Sequence, residues 1–245
     1  MKVLIIIPTY NERENLHAVV QQILEPLPYE ILVVDDQSPD GTGAIAEELA
    51  QKYPGRLHVM HRTGKRGLGL SYLDGFRWAL EHDADLICQM DADLSHDPKY
   101  LPDLVKAADT YDLVLGSRYL NGISVINWPL RRILLSWFAN RYVRAITGLT
   151  TCDTTSGFRC WRRDALASLH VERFISQRYA FTVETVFEVA RRGGRVGEVP
   201  IIFVERRVGA SKMSGPVLFE SMLMPWRLVW RNRGRVRRPV GNQVP

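Results

Sequence analysis

The residues best suited to chemistry lie in three short acidic or turn-forming segments. Asp91 and Asp93 flank Ala92 directly after the apolar run Leu86–Met90. Two carboxylates one residue apart, just past a strand, can share a hard cation. Mg2+ and Mn2+ take oxygen ligands and commonly complete their shell with substrate phosphates. A solvated turn is the competing reading of Asp-x-Asp, and the pair alone leaves both open. Asp35-Asp36 follows Ile31–Val34 and leads into Gln37-Ser38-Pro39-Asp40-Gly41-Thr42, where a turn or helix cap is the plainer role. Pro8-Thr9-Tyr10-Asn11-Glu12 follows Val3–Ile7.

Several other chemistries lack their residues. No Gly-x-Ser-x-Gly elbow is present, and no Gly-x-Gly-x-x-Gly follows the first apolar run. Gly64-Lys65-Arg66-Gly67-Leu68-Gly69 matches a phosphate loop only loosely, without the Gly-Lys-Ser/Thr ending. The 6 histidines are scattered, none paired at metal-ligand spacing. His96 alone stands beside an acidic pair, and a structural role is expected for it. Cys88, Cys152 and Cys160 form an odd set without Cys-x-x-Cys, which excludes a zinc ribbon and points to inert thiols rather than a disulfide framework.

The elements around these segments follow from periodicity. Val3–Ile7, Ile31–Val34, Leu86–Met90 and Leu113–Leu115 are short, almost wholly apolar runs, the pattern of strands buried on both faces of a parallel sheet. Leu16, Val19, Val20, Ile23 and Leu24 recur at helical spacing, with Asn11 and Glu14 as a helix start and Pro26 and Pro28 beyond its end. Further helices are predicted after Asp40-Gly41-Thr42 and over about 70–81. Strand–helix alternation predicts an open α/β sheet, and such sheets bind ligands beyond the carboxyl ends of their strands. The three chemical segments should therefore converge on one edge.

The second half differs. Residues 129–147 combine Leu130, Ile133, Leu134, Trp137, Phe138 and Val143 with Arg131, Arg132, Arg141 and Arg144, a basic amphipathic helix. From pattern alone, a core helix with a basic outer face is an equal alternative. Residues 213–230 are also apolar, but Pro216, Glu220, Pro225 and Arg227 interrupt them, predicting a segment that lies on a membrane rather than crossing it. No apolar run reaches the roughly 18 residues of a spanning helix, and no secretory leader pattern opens the sequence. With 245 residues, 46% of them apolar, a folded domain is expected. The net charge of +5 is uneven: residues 227–245 hold 6 arginines and no Asp, Glu or Lys, which leaves residues 1–226 one charge below neutral. A tail of this kind seeks phosphate, whether anionic lipid or nucleic acid.

Taken jointly, Pro8-Thr9-Tyr10-Asn11-Glu12, the Val33–Thr42 segment, Met90-Asp91-Ala92-Asp93-Leu94-Ser95-His96 and Gly116-Ser117-Arg118-Tyr119 resemble glycosyltransferase family 2, and within it the dolichyl- or polyprenyl-phosphate mannose synthases. Thr155-Ser156-Gly157-Phe158-Arg159, Glu198-Val199-Pro200-Ile201, Phe203-Val204-Glu205-Arg206 and Gly209-Ala210-Ser211-Lys212 extend the resemblance over residues 1–215. It implies a nucleotide-sugar-binding fold of the glycosyltransferase A type. It also implies GDP-mannose as donor, a polyprenyl phosphate such as dolichyl phosphate as acceptor, and an inverted, β-linked product. By matching positions, Pro8, Tyr10, Glu12, Val34 and Asp36 should hold the nucleoside. Asp91, Ala92 and Asp93 should hold the metal–diphosphate unit, with Mg2+ or Mn2+ as cofactor. Arg118, Arg206 and Lys212 should meet phosphate oxygens. Some relatives carry Gln two residues after the second Asp as a further metal ligand; that position here is Ser95. The membrane-spanning extension of some members has no counterpart in this sequence, which resembles the short form that docks at the surface.

This implied reaction suits the residue types. A phosphate monoester is mostly dianionic at neutral pH and needs no general base. Bringing it to an anionic diphosphate does need cations, for which Arg118, Arg132, Arg206 and Lys212 are the candidates, with Ser136 one turn from Arg132 on the same helix face. An isoprenoid acceptor stays in the bilayer, so residues 129–147 and the segment from 216 to 245 are expected to dock a cytoplasmic, peripheral enzyme on the membrane. Competing readings are the same transfer from UDP-glucose, a family 2 enzyme with a soluble saccharide acceptor, and a non-catalytic module binding phosphate or nucleic acid. The near-neutral body speaks against nucleic acid.

Overall fold

The computed structural model describes residues 1–169, 179–205 and 215–236, the side chains of 179–180 and 215–221 excepted. At its centre is β1 (Val3–Thr9), every residue of which is buried. Val3, Ile5 and Ile7 enter the apolar core on one face of the sheet, and Leu4 and Ile6 enter the core on the other. That period-two division is what a strand covered on both sides requires. On one side of β1 lie β2 (Glu30–Asp35) and then β3 (Leu57–His61), all parallel; on the other lies β4 (Leu86–Gln89), also parallel. The sheet continues through β5 (Leu113–Ser117), β7 (Arg159–Arg162) and β8 (Val196–Pro200), in the order β3-β2-β1-β4-β7-β5-β8. Only β7 runs antiparallel, to both of its neighbours. β6 (Val125–Ile126) and β9 (Phe203–Val204) pair separately.

Three helices cover one face: α1 (Arg13–Leu24), α2 (Thr42–Lys52) and α4 (Leu101–Ala107). The other face carries α3 (Leu68–Glu81), α5 (Leu130–Thr147), α6 (Arg163–Ser168), α7 (Tyr179–Arg191) and α8 (Gly215–Arg231). α3 lies tight on β1 because Gly75 has no side chain; a Cβ there would stand 2.7 Å from Ile6 Cγ2. Helix ends are closed by partly buried guanidinium groups. Arg56 donates to the carbonyls of Leu24, Leu27 and Tyr29, and Arg163 to those of Ala79, Leu80, His82 and Ala84.

One sequence expectation changes and two readings become more specific. Asn11 does not cap α1: its φ is +60°, Glu12 holds the cap position, and the Glu12 N–H is satisfied by Thr42 Oγ1 at 3.0 Å. The apolar segment after 213 is one helix that runs through Pro225. Met224 and Leu228 of that helix are buried in the main core, so α8 is part of the packed body. For α5, the alternative left open resolves by halves. Its C-terminal half buries Val143 and Ile146, while Leu130, Leu134, Leu135, Trp137 and Phe138 are exposed. Among the described residues, no helix is long and apolar enough to cross a membrane.

Candidate active site

The register Thr9↔Asp35 and Ile6↔Gln89 brings the ends of β1, β2 and β4 to one edge, as the sequence implies. Pro8 and Val34, directly paired, form the buried floor. The loops beyond are held in demanding conformations. Asn11, Gln37 and Leu94, one in each loop, have φ near +60°. Left-handed backbone is costly for residues with a side chain, Leu above all, and it collects at functional sites. At Leu94 it folds the chain so that Ser95 donates its N–H (3.1 Å) and its Oγ–H (2.5 Å) to Asp93 Oδ1. Ser95 is itself buried and braces Asp93.

Asp91 is gripped from several sides. Tyr72 of α3 donates to its Oδ1 at 3.2 Å, and its own N–H donates to His96 Nδ1 at 3.1 Å. Nδ1 being the acceptor, a neutral His96 carries its proton on Nε2. His96 is buried, stacked on Phe158 and edge-on to Phe203, which is the structural role expected of it. Burial, then the charge and hydrogen bond of Asp91, push the Tyr72 phenol well above its usual range, so it stays a donor. Gly157 of the Thr155–Arg159 segment borders the carboxylate: a Cβ there would lie 3.8 Å from Asp91 Oδ2, in ordinary van der Waals contact.

Asp36 is buried and committed: it accepts from Arg62 Nη1 and, at 2.8 Å, from the N–H of Gly67 at the start of α3. Arg62 also reaches Asp74 at 2.7 Å. Tyr10 carries Arg66 over its ring, 4.9 Å from the centroid, and accepts from Arg66 Nη1 at 3.0 Å. The segment set aside as a poor phosphate loop is therefore a wall of this site, placed there by α3. Its glycine spacing does not fit a phosphate loop, yet its Gly67 N–H reaches Asp36 and its Arg66 guanidinium reaches Tyr10, with Arg62 just before it completing the grip on Asp36.

A second cluster adjoins the first. Val204 donates to the Ser95 carbonyl at 3.4 Å, and Phe203 lies between His96 and Trp128. Around Trp128 gather Arg118, with its guanidinium carbon 5.4 Å from the ring centroid, and Arg132 at 4.1 Å. Tyr119 donates to Ser136 Oγ at 2.7 Å. Arg118, Arg132 and Ser136, all named from the sequence, are thus brought together. Both arginines have carboxylate partners that sequence reading missed. Arg118 grips buried Asp153 through Nε (2.6 Å) and Nη2 (2.7 Å), and Asp153 is held in turn by Asn140. Glu198 accepts the N–H groups of Cys152 and Asp153 at 2.6 and 2.9 Å. Burial opposes charge on both members of the pair, but their mutual attraction outweighs it, raising Arg118 and lowering Asp153. Arg132 instead pairs with Glu205 at the surface, with about a third of each side chain exposed. Asp153 could have been suspected as the acid just before the Thr155–Arg159 segment; Glu205 lay inside a quoted motif without an assigned partner.

Arg159 of that same segment is wholly buried, bonded to Ser156 O, Thr154 O and Thr185 Oγ1; burial pulls it to about 9, still protonated at neutral pH. Arg206 and Lys212 lie outside the described residues, as do Arg237 and Arg238. The arginine-rich tail is less free than its composition implies. Arg231 bonds buried Glu184 at 2.7 Å, and Arg235 donates to the Ala145 carbonyl at 2.6 Å.

Asp91 and Asp93 suit a hard divalent ion: both are oxygen donors, only partly buried, on one braced loop. Among the described residues, no three or more His, Cys, Asp or Glu side chains converge as a metal site.

Comparison with known proteins agrees with this architecture. The chain is 47% identical over 242 residues to the polyprenol monophosphomannose synthase of Mycolicibacterium smegmatis, covering 98% of this chain and 91% of that protein. It is 46% identical over 237 residues to the undecaprenyl-phosphate mannosyltransferase of Micrococcus luteus, covering 96% and 97%. The glucosyl-3-phosphoglycerate synthase of Mycobacterium tuberculosis, solved with Mn2+, UDP-glucose and phosphoglyceric acid, shares the fold at a TM-score of 0.69. Its identity is 16%, over 98% of this chain and 83% of that one. Residues 4–169 match the family model described as glycosyl transferase family 2, and with nearly full-length relatives beside it, the chain belongs to that family.

Proposed function

We propose that this glycosyltransferase moves mannose from GDP-mannose to a polyprenyl phosphate at a membrane surface, inverting the anomeric centre and releasing GDP. The observation that carries the reading is the contact of two unlike clusters. The acidic pair Asp91–Asp93 meets the Arg118–Arg132 cluster through Ser95, His96 and Phe203. The relatives' names, polyprenol monophosphomannose synthase and undecaprenyl-phosphate mannosyltransferase, support the choice of sugar and acceptor.

In this reading Pro8, Tyr10, Glu12, Val34 and Asp36 receive the nucleoside, and Asp91, Ala92 and Asp93 face the diphosphate. Asp91 and Asp93 would hold Mg2+ or Mn2+, and Ser95 acts through Asp93. When bound, the ion supplies Lewis-acid stabilisation to the departing diphosphate. Arg118, Arg132, Arg206 and Lys212 draw the acceptor phosphate in, beside Ser136. A phosphate oxygen attacks the anomeric carbon as its bond to the diphosphate breaks; no base is required, since the acceptor arrives ionised. Arg118 keeps its grip on Asp153, so it serves as a fixed charge. Arg132 exchanges its surface partner Glu205 for the phosphate.

Residues 1–215 constitute the catalytic part in this scheme, and 216–245 contribute to docking. Leu130, Leu134 and Phe138 of α5 and Met222, Trp226 and Trp230 of α8 form an exposed apolar surface. The two helices are joined where Tyr142 donates to Met222 O at 2.9 Å and accepts from Trp226 Nε1 at 3.0 Å. Arg131, Arg141, Arg227 and Arg233 add positive charge for the cytoplasmic leaflet, at about 1 kcal/mol per residue near an anionic surface.

The test is incubation with radiolabelled GDP-mannose or UDP-glucose and polyprenyl phosphate in liposomes, followed by organic extraction. Lipid-linked label from GDP-mannose alone is expected. Label only from UDP-glucose would replace the sugar donor; none from either would reject the reading.

A further inference from the structure

Tyr72 has no role in the scheme above, yet it touches its most consequential carboxylate. Its ring is buried in the core beside Phe76, at 2% exposure, so its hydroxyl has a fixed position. That hydroxyl donates to Asp91 Oδ1 at 3.2 Å. The Asp91 backbone is tied to His96, and Gly157 leaves open the space next to Oδ2 that a side chain would fill. α3, which carries Tyr72, cannot slide along β1, because Gly75 sits directly on Ile6.

We propose that Tyr72 is a positioning residue for divalent-cation binding: its O–H occupies one lone pair of Asp91 Oδ1 and sets the rotation at which the carboxylate faces a cation shared with Asp93. This rests on the reading of Asp91 as a metal-holding residue. A carboxylate already turned to the right angle loses little rotamer freedom on binding. Partners that orient ligands in this way typically change metal affinity 10- to 100-fold when removed. A phenol that merely satisfies its own buried hydroxyl would affect stability and leave cation affinity untouched.

The experiment is Mn2+ titration of wild type, Tyr72→Phe and Asp91→Asn, with GDP present, following free Mn2+ by electron paramagnetic resonance. Tyr72→Phe keeps the ring and deletes only the hydroxyl. Its Mn2+ Kd is expected to rise about 10-fold, its melting temperature to stay within a few degrees of wild type, and its turnover to recover at saturating Mn2+. Asp91→Asn should bind more weakly still. If Asp91→Asn binds like wild type, the metal reading fails and the proposal with it. If Asp91→Asn is weakened while Tyr72→Phe binds as well as wild type or better, only the positioning role is overturned. Should Tyr72→Phe not fold, Tyr72→Met removes the same hydroxyl with a side chain that adapts to irregular space, and is read the same way.

Discussion

The sheet edge and the α5–α8 surface meet at Phe203 but are built in opposite ways. At the edge, carboxylates are braced by groups from the connecting loops or from α3: Asp36 by Arg62 and Gly67, Asp91 by Tyr72, Asp93 by Ser95. Pro8, Val34 and Ala92 there are buried. On α5 and α8 several large apolar side chains face outward, Trp230 at 86% exposure, and the paired charges include a partly exposed bridge, Arg132–Glu205. The contrast matches the two substrates proposed. A nucleotide sugar diffuses in water and rewards a preorganised site. A lipid phosphate arrives from an interface, where a surface that can exchange partners is of more use. The two arginines beside Trp128 mark the boundary, one locked to a buried acid and one holding a replaceable one.

That contrast can be broken most severely at Asp153. Replacing it with Asn leaves the Arg118 charge buried without a counter-ion, which typically costs about 3–5 kcal/mol. Asp153→Asn should therefore lower the urea midpoint sharply at pH 7. Its carboxyl lies below its usual range, so the pair's contribution is complete above the unfolded carboxylate pKa of about 3.9. It is lost as pH falls through the lower, folded-state value. The gap between wild type and Asp153→Asn in denaturant titrations should thus narrow in acid; a constant gap would contradict the assignment.

Next in size is Asp93→Ala, which should cut turnover by roughly 100-fold or more, the scale of removing one electrostatic stabiliser, with an unchanged circular dichroism spectrum. Activity near wild type with excess Mg2+ or Mn2+ would remove Asp93 from the site. On the other surface, Leu134→Glu with Phe138→Glu should abolish sedimentation with anionic vesicles while leaving thermal stability intact, since both residues are exposed. Arg227→Gln with Arg233→Gln should weaken the same binding by about 1 kcal/mol per residue, with a shallower salt dependence. These substitutions sharpen the question better than deleting 227–245, because deletion also removes Leu228 from the core and Arg231 from Glu184. The smallest effect belongs to Glu205→Gln. Exposed pairs contribute about 0–1 kcal/mol, so stability should hardly change. The KM for lipid phosphate should fall a few-fold as Arg132 loses its competitor; a rise would show that Glu205 aids binding.

Much of this was legible beforehand because it is local. Apolar runs such as Val3–Ile7 report strands buried on both faces, and strand ends report where ligands go. The amphipathic character of 129–147 was visible too, but not which of its halves was covered, since that depends on α8 and the core. What stayed hidden depends on distant residues meeting. Arg118 and Asp153 are 35 residues apart, and Tyr72 and Asp91 are 19 apart. Nothing in the local spacing of Arg62, Arg66 or Tyr72 announces a site, because the connection from β3 delivers the two arginines and α3 delivers the tyrosine. The tail misled by composition: a guanidinium that caps a helix, as Arg235 does at Ala145, is indistinguishable in sequence from one that waits for phosphate.

α3 touches Asp36 through the backbone of Gly67 and Asp91 through the side chain of Tyr72. Tyr72 lies five positions after Gly67, the residue that caps the helix, an axial rise of about 7.5 Å at 1.5 Å per residue. The interval between the places proposed for a nucleoside and for a metal is thereby gauged by a stiff rod rather than by loop length. Insertions elsewhere in the connecting loops would leave that gauge untouched, whereas one added residue between 67 and 72 would swing the phenol by about 100° around the helix axis and misalign both ends together.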